Sequence, residues 1–176
     1  MLKTTDCYKK LGKSTILKEL REWCEQQQDW SQMFGSSFML KPAPELILKD
    51  PFIKRLIDEG WKEPHVMKNY PHSFYNFHID KDNKPTAINL LLGENKNCCT
   101  VFLGDQLATR QHRALELKYE YGHYYLLNTQ IKHGVFNFGK DRYLFTICPP
   151  GVPNFVDAPE EIHKSDMFEK MKECID

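Results

Sequence analysis

The sequence predicts an α+β domain in which N-terminal helices pack on an antiparallel β-sandwich or barrel. Apolar residues recur at helical spacing in the N-terminal third, short strand-like segments begin at about Val66, and turn residues separate those segments. The chain has 176 residues, a length that suits one domain with one substantial core. We therefore expect a single domain over residues 1–176, with a mainly helical support (1–65), a β core (66–148) and a C-terminal loop and helix (149–176).

Two helices are predicted before the β core. Ser14 or Thr15 can cap the first helix. Its apolar residues recur at helical spacing, at Ile16, Leu17, Leu20, Trp23 and Cys24. The second helix is predicted from Pro51 to about Glu59, because proline suits a first helical turn and Gly60 suits the position after the last.

The β core is predicted as a series of short strands rich in β-branched and aromatic residues. Glycine, asparagine, aspartate and proline lie between them, for example at Lys81–Pro85 and Gly104–Asp105. Many short strands at such spacing favour an antiparallel sandwich or barrel. The predicted strands are Ser73–Asp80, Thr86–Leu92, Cys99–Leu103, Ala114–Lys118, His123–Leu127 and Arg142–Cys148.

Composition excludes several classes of partner and location. Lysine plus arginine (24) equals aspartate plus glutamate (24), so the chain lacks the basic surface typical of nucleic-acid binding. No apolar run is long enough to cross a membrane, and the mixed-charge segment 1–13 does not look like a secretory signal. Because no secretory signal is recognised, we expect a cytoplasmic protein whose six cysteines are free thiols. No Cys-x-x-Cys pair is present, which argues against a zinc site.

The segment Tyr75–Asp80 contains the strongest candidate for a metal site. His78 and Asp80 are two residues apart, so on a strand they would project from the same face. An imidazole beside a carboxylate supplies two ligands of the 2-His-1-carboxylate triad that holds non-haem iron(II). Three protein ligands on one side of such a metal leave positions open for co-substrate and dioxygen.

A third ligand and an anion-binding residue follow further along the chain. His133 is the candidate third ligand, and Arg142 follows it nine residues later at the start of a predicted strand. The intervening residues 137–141 favour a turn, so Arg142 is expected close to His133. A guanidinium there can bind a carboxylate with two parallel hydrogen bonds, as a dicarboxylic co-substrate would need.

His-x-Asp, a distal histidine and an arginine nine residues later resemble the iron(II)/2-oxoglutarate-dependent oxygenase superfamily. The likeness covers about residues 70–147 and is nearest to the small prolyl-hydroxylase-like and aspartyl/asparaginyl-hydroxylase-like members. It implies a double-stranded β-helix, the cupin-like jelly-roll core, with iron(II) on His78, Asp80 and His133. It also implies 2-oxoglutarate with its distal carboxylate on Arg142, in a pocket lined by two further residues, Tyr75 and Asn89.

The activity implied by this resemblance is hydroxylation of a C–H bond, with release of succinate and carbon dioxide. The substrate class implied is a peptidyl or free amino acid, or another small molecule. Two alternatives stay open: a cupin-like module that binds metal or ligand without oxidising anything, and a hydrolase or isomerase that uses zinc or manganese. Arg142 distinguishes them, because only the oxygenase has an evident use for it.

Ordinary structural roles also exist for these residues. Asp80 could simply form a turn, and Arg142 could pair with a surface acid, a contact that contributes little. Most histidines outside a motif are surface or core residues. On that basis five are predicted not to be ligands: His65, His72, His112, His123 and His163.

Overall fold

The computed structural model describes residues 2–32, 38–80, 85–93, 96–108, 111–150, 168–169, 171–173 and 175. Its helices are α1 (Thr4–Cys7), α2 (Leu17–Gln26) and α3 (Pro51–Asp58), with a 3₁₀ turn at Glu45–Lys49. Its first strands are β1 (Tyr8–Lys13), β2 (Ser31–Gln32), β3 (Phe38–Pro42), β4 (Lys62–Asn69) and β5 (Ser73–His78). The others are β6 (Thr86–Leu91), β7 (Cys98–Ala108), β8 (Gln111–Leu117), β9 (His123–Asn128), β10 (His133–Asn137) and β11 (Arg142–Cys148).

The strands form two antiparallel sheets that face each other. The major sheet has the order β1-β9-β6-β11-β4-β3-β2, and the minor sheet has the order β5-β10-β7-β8. From β4 to β11 successive strands alternate between the sheets, as in a jelly roll, except that β7 and β8 pair with each other in the minor sheet. The predicted α+β class with a jelly-roll core is confirmed.

The two faces of the major sheet bury different sets of side chains. Outward-facing residues such as Leu90 and Phe145 pack with Leu20 of α2 and Leu56 of α3 in one apolar cluster. Inward-facing residues alternate with them along the same strands, because successive side chains in a strand point to opposite faces. They pack with Phe102 of the minor sheet in a second cluster, which includes Leu91, Tyr125, Leu127 and Leu144. The helices therefore cover the outside of the major sheet and leave its inner face for the site.

The two predicted helices are present with different caps. The Asp50 side chain caps α3 by accepting hydrogen bonds from the backbone N–H groups of Phe52 (3.0 Å) and Ile53 (3.4 Å). Gly60 follows α3 with φ +92°, a conformation that glycine adopts without strain. The cap prediction for α2 was wrong, because its N-cap is Ile16 and makes no side-chain cap bond. Ser14 Oγ instead accepts from the Ile16 N–H at 3.3 Å, before the helix begins.

The prediction that residues 1–65 are mainly helical was incomplete. This region also supplies β1, β2, β3 and the start of β4, which extend the major sheet at both edges. The predicted turn at Gly104–Asp105 was also wrong. Strand β7 continues through these residues to Ala108 and stays paired with β8. Its register against β8 shifts between Leu103 and Ala108, and such a bulge accommodates the glycine within the strand.

The C-terminal prediction is only partly covered by the described residues. Residues 168–169 and 171–173 are helical, and Phe168 is buried in the same apolar cluster as Leu20 and Leu56. Residues 151–167, 170, 174 and 176 lie outside the described part of the chain. No helix in the described part is long and apolar enough to cross a membrane. None of the five cysteines with described side chains forms a disulfide.

Candidate metal centre and adjoining cavity

A cavity of about 610 Å³ lies between the two sheets. This volume is within the range of roughly 300–1,000 Å³ that is usual for small-molecule sites. Its lining includes all six residues predicted for the site: Tyr75, His78, Asp80, Asn89, His133 and Arg142. The fold therefore brings together residues that are far apart in the sequence.

Three potential metal ligands converge on the minor-sheet side of this cavity. The ligand atoms of His78, Asp80 and His133 all lie within 4.8 Å of one another. His78 and His133 are directly opposite in the antiparallel pairing of β5 with β10. Asp80 lies just beyond the end of β5, where its backbone N–H donates to Thr129 O at 3.1 Å. The strand predicted to reach Asp80 thus stops at His78, and the pairing with residue 129 keeps the carboxylate on the cavity side.

The backbone sets which nitrogen of each histidine faces the cavity. The Nδ1 atoms of His78 and His133 lie 2.7 Å from Asn76 O and 2.9 Å from Ile131 O. A carbonyl can only accept, so Nδ1 carries the proton in both rings. In the neutral rings this leaves the Nε2 lone pairs free for a metal, the arrangement that orients histidine ligands in metalloproteins.

The distances fit one metal ion. His78 Nε2 lies 3.1 Å from Asp80 Oδ1. Two ligand atoms at right angles on a metal, each about 2.1 Å from it, would be roughly 3 Å apart. The two histidine rings are 4.4 Å apart between centroids, so both nitrogens can reach the same ion.

The electrostatic setting differs between the two histidines. Burial acts to lower the pKa of His78, but the hydrogen bond to Asp80, the Asn76 carbonyl and the Asp80 charge together raise it. Burial lowers the pKa of His133, and the Asp80 charge and Ile131 carbonyl only partly offset this. A divalent cation would therefore replace the proton that His78 shares with Asp80, while His133 is already neutral near pH 7.

Arg142 lies on the opposite side of the cavity, at the start of β11 in the major sheet. It is only 4% exposed, and its Nη1 donates to Asn69 Oδ1 at 2.9 Å. Its Nε and Nη2 are buried and have no hydrogen-bond partner among the residues that the structure describes. The Cys98 thiol lies beside the guanidinium, and burial raises its pKa although the Arg142 charge and a side-chain contact with Arg142 oppose this. A protonated thiol is a weak acceptor, so it does not replace a carboxylate.

Arg142 and His133 are thus not on neighbouring strands. The two residues were expected to lie close together because a predicted turn separates them in the sequence. In the structure that turn carries the chain from the minor to the major sheet, so the two residues face the cavity from opposite sheets.

Tyr75 and Asn89 complete the predicted set. The Tyr75 ring contacts the His78 ring edge-on at 4.4 Å between centroids. Burial raises the pKa of Tyr75, and the Asp80 charge raises it further, so its hydroxyl stays protonated. Asn89 is buried on β6, and its Oδ1 accepts no hydrogen bond from the described part of the protein.

Sequence reasoning did not identify several residues of the cavity. Asn69 orients Arg142, and the centre of the Tyr119 ring lies 5.8 Å from the Arg142 guanidinium carbon. Glu63 and His65 line the cavity from β4. Of the five histidines predicted not to be ligands, His163 lies outside the described residues, and the other four are not part of the three-residue cluster.

Comparison with solved structures identifies the fold. A prolyl hydroxylase from Trichoplax adhaerens, in complex with a hypoxia-inducible-factor degradation-domain peptide, superposes with a TM-score of 0.62 and 14% identity, over 82% of this chain and 83% of that chain. A Pseudomonas putida prolyl-4-hydroxylase superposes with a TM-score of 0.56 and 14% identity, over 82% of this chain and 93% of that chain. HygX from Streptomyces hygroscopicus, solved with nickel and 2-oxoglutarate bound, superposes with a TM-score of 0.55 and 12% identity. The match covers 76% of this chain and 78% of that chain. No family model and no curated protein matches the sequence.

This chain has the fold of the 2-oxoglutarate- and iron(II)-dependent oxygenases. The double-stranded β-helix expected from the resemblance is confirmed. Within this oxygenase fold, the histidine–aspartate cluster lies on β5 and β10 of the minor sheet and Arg142 lies on β11 of the major sheet. A ligand that contacts both would bridge the two sheets.

Proposed function

We propose that this chain is an iron(II)- and 2-oxoglutarate-dependent oxygenase that hydroxylates a C–H bond of a peptidyl or free amino acid. Iron(II) would be held by His78, Asp80 and His133, and 2-oxoglutarate would be bound by Arg142. Tyr75 and Asn89 would line the co-substrate pocket. The single-domain organisation and cytoplasmic location expected from the sequence remain predictions.

The observation that carries this proposal is the edge of Arg142 that faces the cavity. Nε–H and one Nη2–H lie parallel on one side of a guanidinium, the geometry that binds both oxygens of a carboxylate. Here that edge is buried and has no partner in the described residues, while Asn69 occupies Nη1. An unsatisfied buried charged donor is costly. The site is therefore suited to a carboxylate ligand, which a hydrolase or isomerase would not require.

The donor set also fits the proposed metal. Two neutral imidazole nitrogens and one carboxylate are typical of non-haem iron(II) sites that keep coordination positions open. When bound, iron(II) with 2-oxoglutarate supplies dioxygen activation and oxidation of a substrate C–H bond, with succinate and carbon dioxide as co-products. A structural zinc site would instead have a closed set of four protein ligands.

The protein's own residues would perform three tasks. Arg142 neutralises and orients the distal carboxylate, with Asn69 preventing rotation of the guanidinium. The carbonyls of residues 76 and 131 hold the imidazole protons on Nδ1. Apolar side chains of the cavity exclude water from the reacting groups, among them Ala87, Leu127, Val135 and Leu144.

The test is an anaerobic titration of the apoprotein with iron(II) and then 2-oxoglutarate, followed by the visible metal-to-ligand charge-transfer band. We expect the band in the unsubstituted protein. We expect it to be lost in His133→Ala, which removes a metal ligand. In Arg142→Ala it should appear only at 2-oxoglutarate concentrations raised by about tenfold to hundredfold, because charge-assisted hydrogen bonds are lost.

Matched controls come from β8, the edge strand of the minor sheet. His112→Ala and Arg113→Ala remove the same side-chain types at exposed positions outside the cavity, and both should titrate like the unsubstituted protein. Iron binding without a band would contradict the oxygenase proposal and leave a metal-binding module. An unchanged band in Arg142→Ala would contradict the assigned carboxylate site.

A further inference from the structure

Glu63 lies in an unusual bulge at one end of the cavity. In the pairing of β4 with β11, Thr146 is opposite His65 and Cys148 is opposite Lys62, so two residues of β4 face the single residue Ile147. Glu63 has φ +53°, a left-handed conformation that is unfavourable for a residue with a side chain. Bulges next to active sites commonly redirect a side chain. This one places Glu63 in the lining of the cavity.

The surrounding structure holds the bulge in place. His65 Nδ1 donates to Glu63 O at 2.7 Å, and the Ala43 N–H donates to Pro64 O at 3.0 Å. These bonds tie the bulge to its own strand and to the residue after β3. The left-handed residue is therefore maintained by contacts on both sides, although glycine or asparagine would adopt this conformation more easily.

Strand β4 runs along the cavity and separates two charged ends. Its cavity-lining residues are, in order, Glu63, His65, Met67 and Asn69. Asn69 holds Arg142, and Glu63 is six residues away, roughly 20 Å along a strand that rises about 3.3 Å per residue. The cationic end at Arg142 accommodates the co-substrate. The other end carries the exposed carboxylate of Glu63, which takes part in none of the ion pairs found among the described residues.

Between the two ends the wall is mainly apolar. Leu40 and Met67 are opposite each other in the pairing of β3 with β4, and both line the cavity. Phe38, further along β3, packs edge-on against Tyr75 at 4.9 Å between ring centroids. A ligand with an aliphatic body and a positive charge at its outer end would complement this part of the cavity.

From this arrangement we infer that Glu63 recognises a cationic group, an ammonium or guanidinium, on the primary substrate. This inference rests on the proposed function, because it assigns the oxidised molecule and leaves Arg142 to 2-oxoglutarate. The substrate class is an amino acid or peptide residue with an aliphatic chain and a positive charge remote from the C–H bond that is oxidised. Glu63 is then a specificity-determining residue, and His65 positions it through the bulge.

Three probes of one skeleton test the charge directly. Nα-acetyl-L-lysine amide has a side-chain ammonium, L-norleucine amide has an α-ammonium, and Nα-acetyl-L-norleucine amide has neither. Each is titrated calorimetrically into the 176-residue chain loaded with manganese(II) and 2-oxoglutarate, because the manganese form does not turn over. We expect at least one of the two cationic probes to bind about tenfold or more tightly than the uncharged one.

Variants assign the preference to Glu63. Glu63→Gln should remove the tenfold advantage, and Glu63→Lys should favour Nα-acetyl-2-aminoadipate amide, which carries a carboxylate instead. Glu59→Gln is the matched control, since it removes an equal charge four residues away at the exposed end of α3, and it should keep the advantage.

The outcomes separate this inference from the proposed function. Binding of 2-oxoglutarate to the manganese-loaded protein is measured first, and its failure would refute the proposed function itself. If the protein loads but the three probes bind equally, or none binds, the cationic substrate class is refuted. If the preference survives in Glu63→Gln, Glu63 is not the residue responsible.

Discussion

Asn69 determines which edge of the Arg142 guanidinium faces the cavity. The two residues are opposite each other in the pairing of β4 with β11, and the Asn69 amide oxygen accepts from Nη1. We predict that Asn69→Ala weakens 2-oxoglutarate binding by about tenfold, because the guanidinium loses a hydrogen bond that fixes its orientation. The measurement is the 2-oxoglutarate concentration that half-saturates the charge-transfer band.

Iron affinity serves as the internal control for this variant. Asn69 is on the major sheet, away from the three proposed ligands, so iron(II) should bind Asn69→Ala as it binds the unsubstituted protein. Equal 2-oxoglutarate affinity in both proteins would show that packing alone orients Arg142.

Two fully buried thiols make the folded state sensitive to alkaline pH. Burial, with a smaller effect of the adjacent Glu25 charge, raises the pKa of Cys24 to about 12. Burial, with a smaller effect of Asp6, does the same for Cys7. An unfolded thiol ionises near pH 9, so above that value the unfolded state releases protons that the folded state retains. By linkage, stability therefore falls as pH rises.

We predict that the free energy of unfolding decreases between pH 9 and pH 12, by about 1.4 kcal/mol per thiol for each pH unit. Urea denaturation at pH 8, 9 and 10 measures this slope. Cys24→Ala should show a shallower slope than the unsubstituted protein, whatever its stability at pH 8. A slope that does not change on substitution would mean that other groups cause the loss.

Asp50 links three elements of the fold through one buried carboxylate. Its Oδ1 caps α3, and its Oδ2 accepts from the Thr15 N–H (2.8 Å), Ser14 Oγ (3.1 Å) and Tyr124 Oη of β9 (3.0 Å). The carboxylate thus joins both helices to the outer face of the major sheet. Removing it would leave several buried donors without a partner.

We predict that Asp50→Ala lowers the free energy of unfolding by about 2–4 kcal/mol, from the lost cap and the unsatisfied donors. Asp58→Ala, at the opposite end of the same helix, is the control. Its side chain is 61% exposed and paired only with Lys54 across one turn, so the expected change is within about 0.5 kcal/mol. Urea denaturation curves compare the two, and similar losses would refute the role given to Asp50.

The predictability of each strand follows from its burial. Strand β6 is buried along its whole length and β11 nearly so, and their apolar runs were recognised in the sequence. Strand β1 contains three lysines and lies at the edge of the major sheet, so it has little apolar pattern. Strand β4 was not among the predicted strands, although strand-like spacing was expected from about Val66, because Pro64 and the bulge interrupt its first half. Such strands are determined by their neighbours rather than by their own residues.

The predictability of the site depends on which sheet pairings create it. His78 and Asp80 are close in the sequence, and the motif spacing to His133 and Arg142 was informative without knowledge of the topology. Asn69 and Glu63 become part of the cavity only through the register of β4 against β11, which pairs residues more than seventy positions apart. No local pattern in the sequence encodes that register, so these two residues could be found only in the structure.

A 2-oxoglutarate molecule bound as proposed would bridge the two sheets across the cavity. Its metal-binding end would contact the cluster on β5 and β10, and its distal carboxylate would contact Arg142 on β11. Both contacts are needed for tight binding, so we predict that stabilisation by 2-oxoglutarate requires the metal. At concentrations near 100 times its dissociation constant, a ligand of the folded state adds about 2.7 kcal/mol. For a domain of this size that is roughly 5–10 °C in Tm.

Thermal unfolding measures this dependence when manganese(II) and 2-oxoglutarate are added separately and together. We expect an increment from manganese(II), a further increment from 2-oxoglutarate in its presence, and almost none from 2-oxoglutarate with a chelator. Arg142→Ala should keep the manganese increment and lose the second, since it retains the ligands on the minor sheet but lacks the contact on the major one. Equal stabilisation by 2-oxoglutarate with and without metal would place its binding site elsewhere, because a ligand held by Arg142 alone has no contact with the minor-sheet cluster.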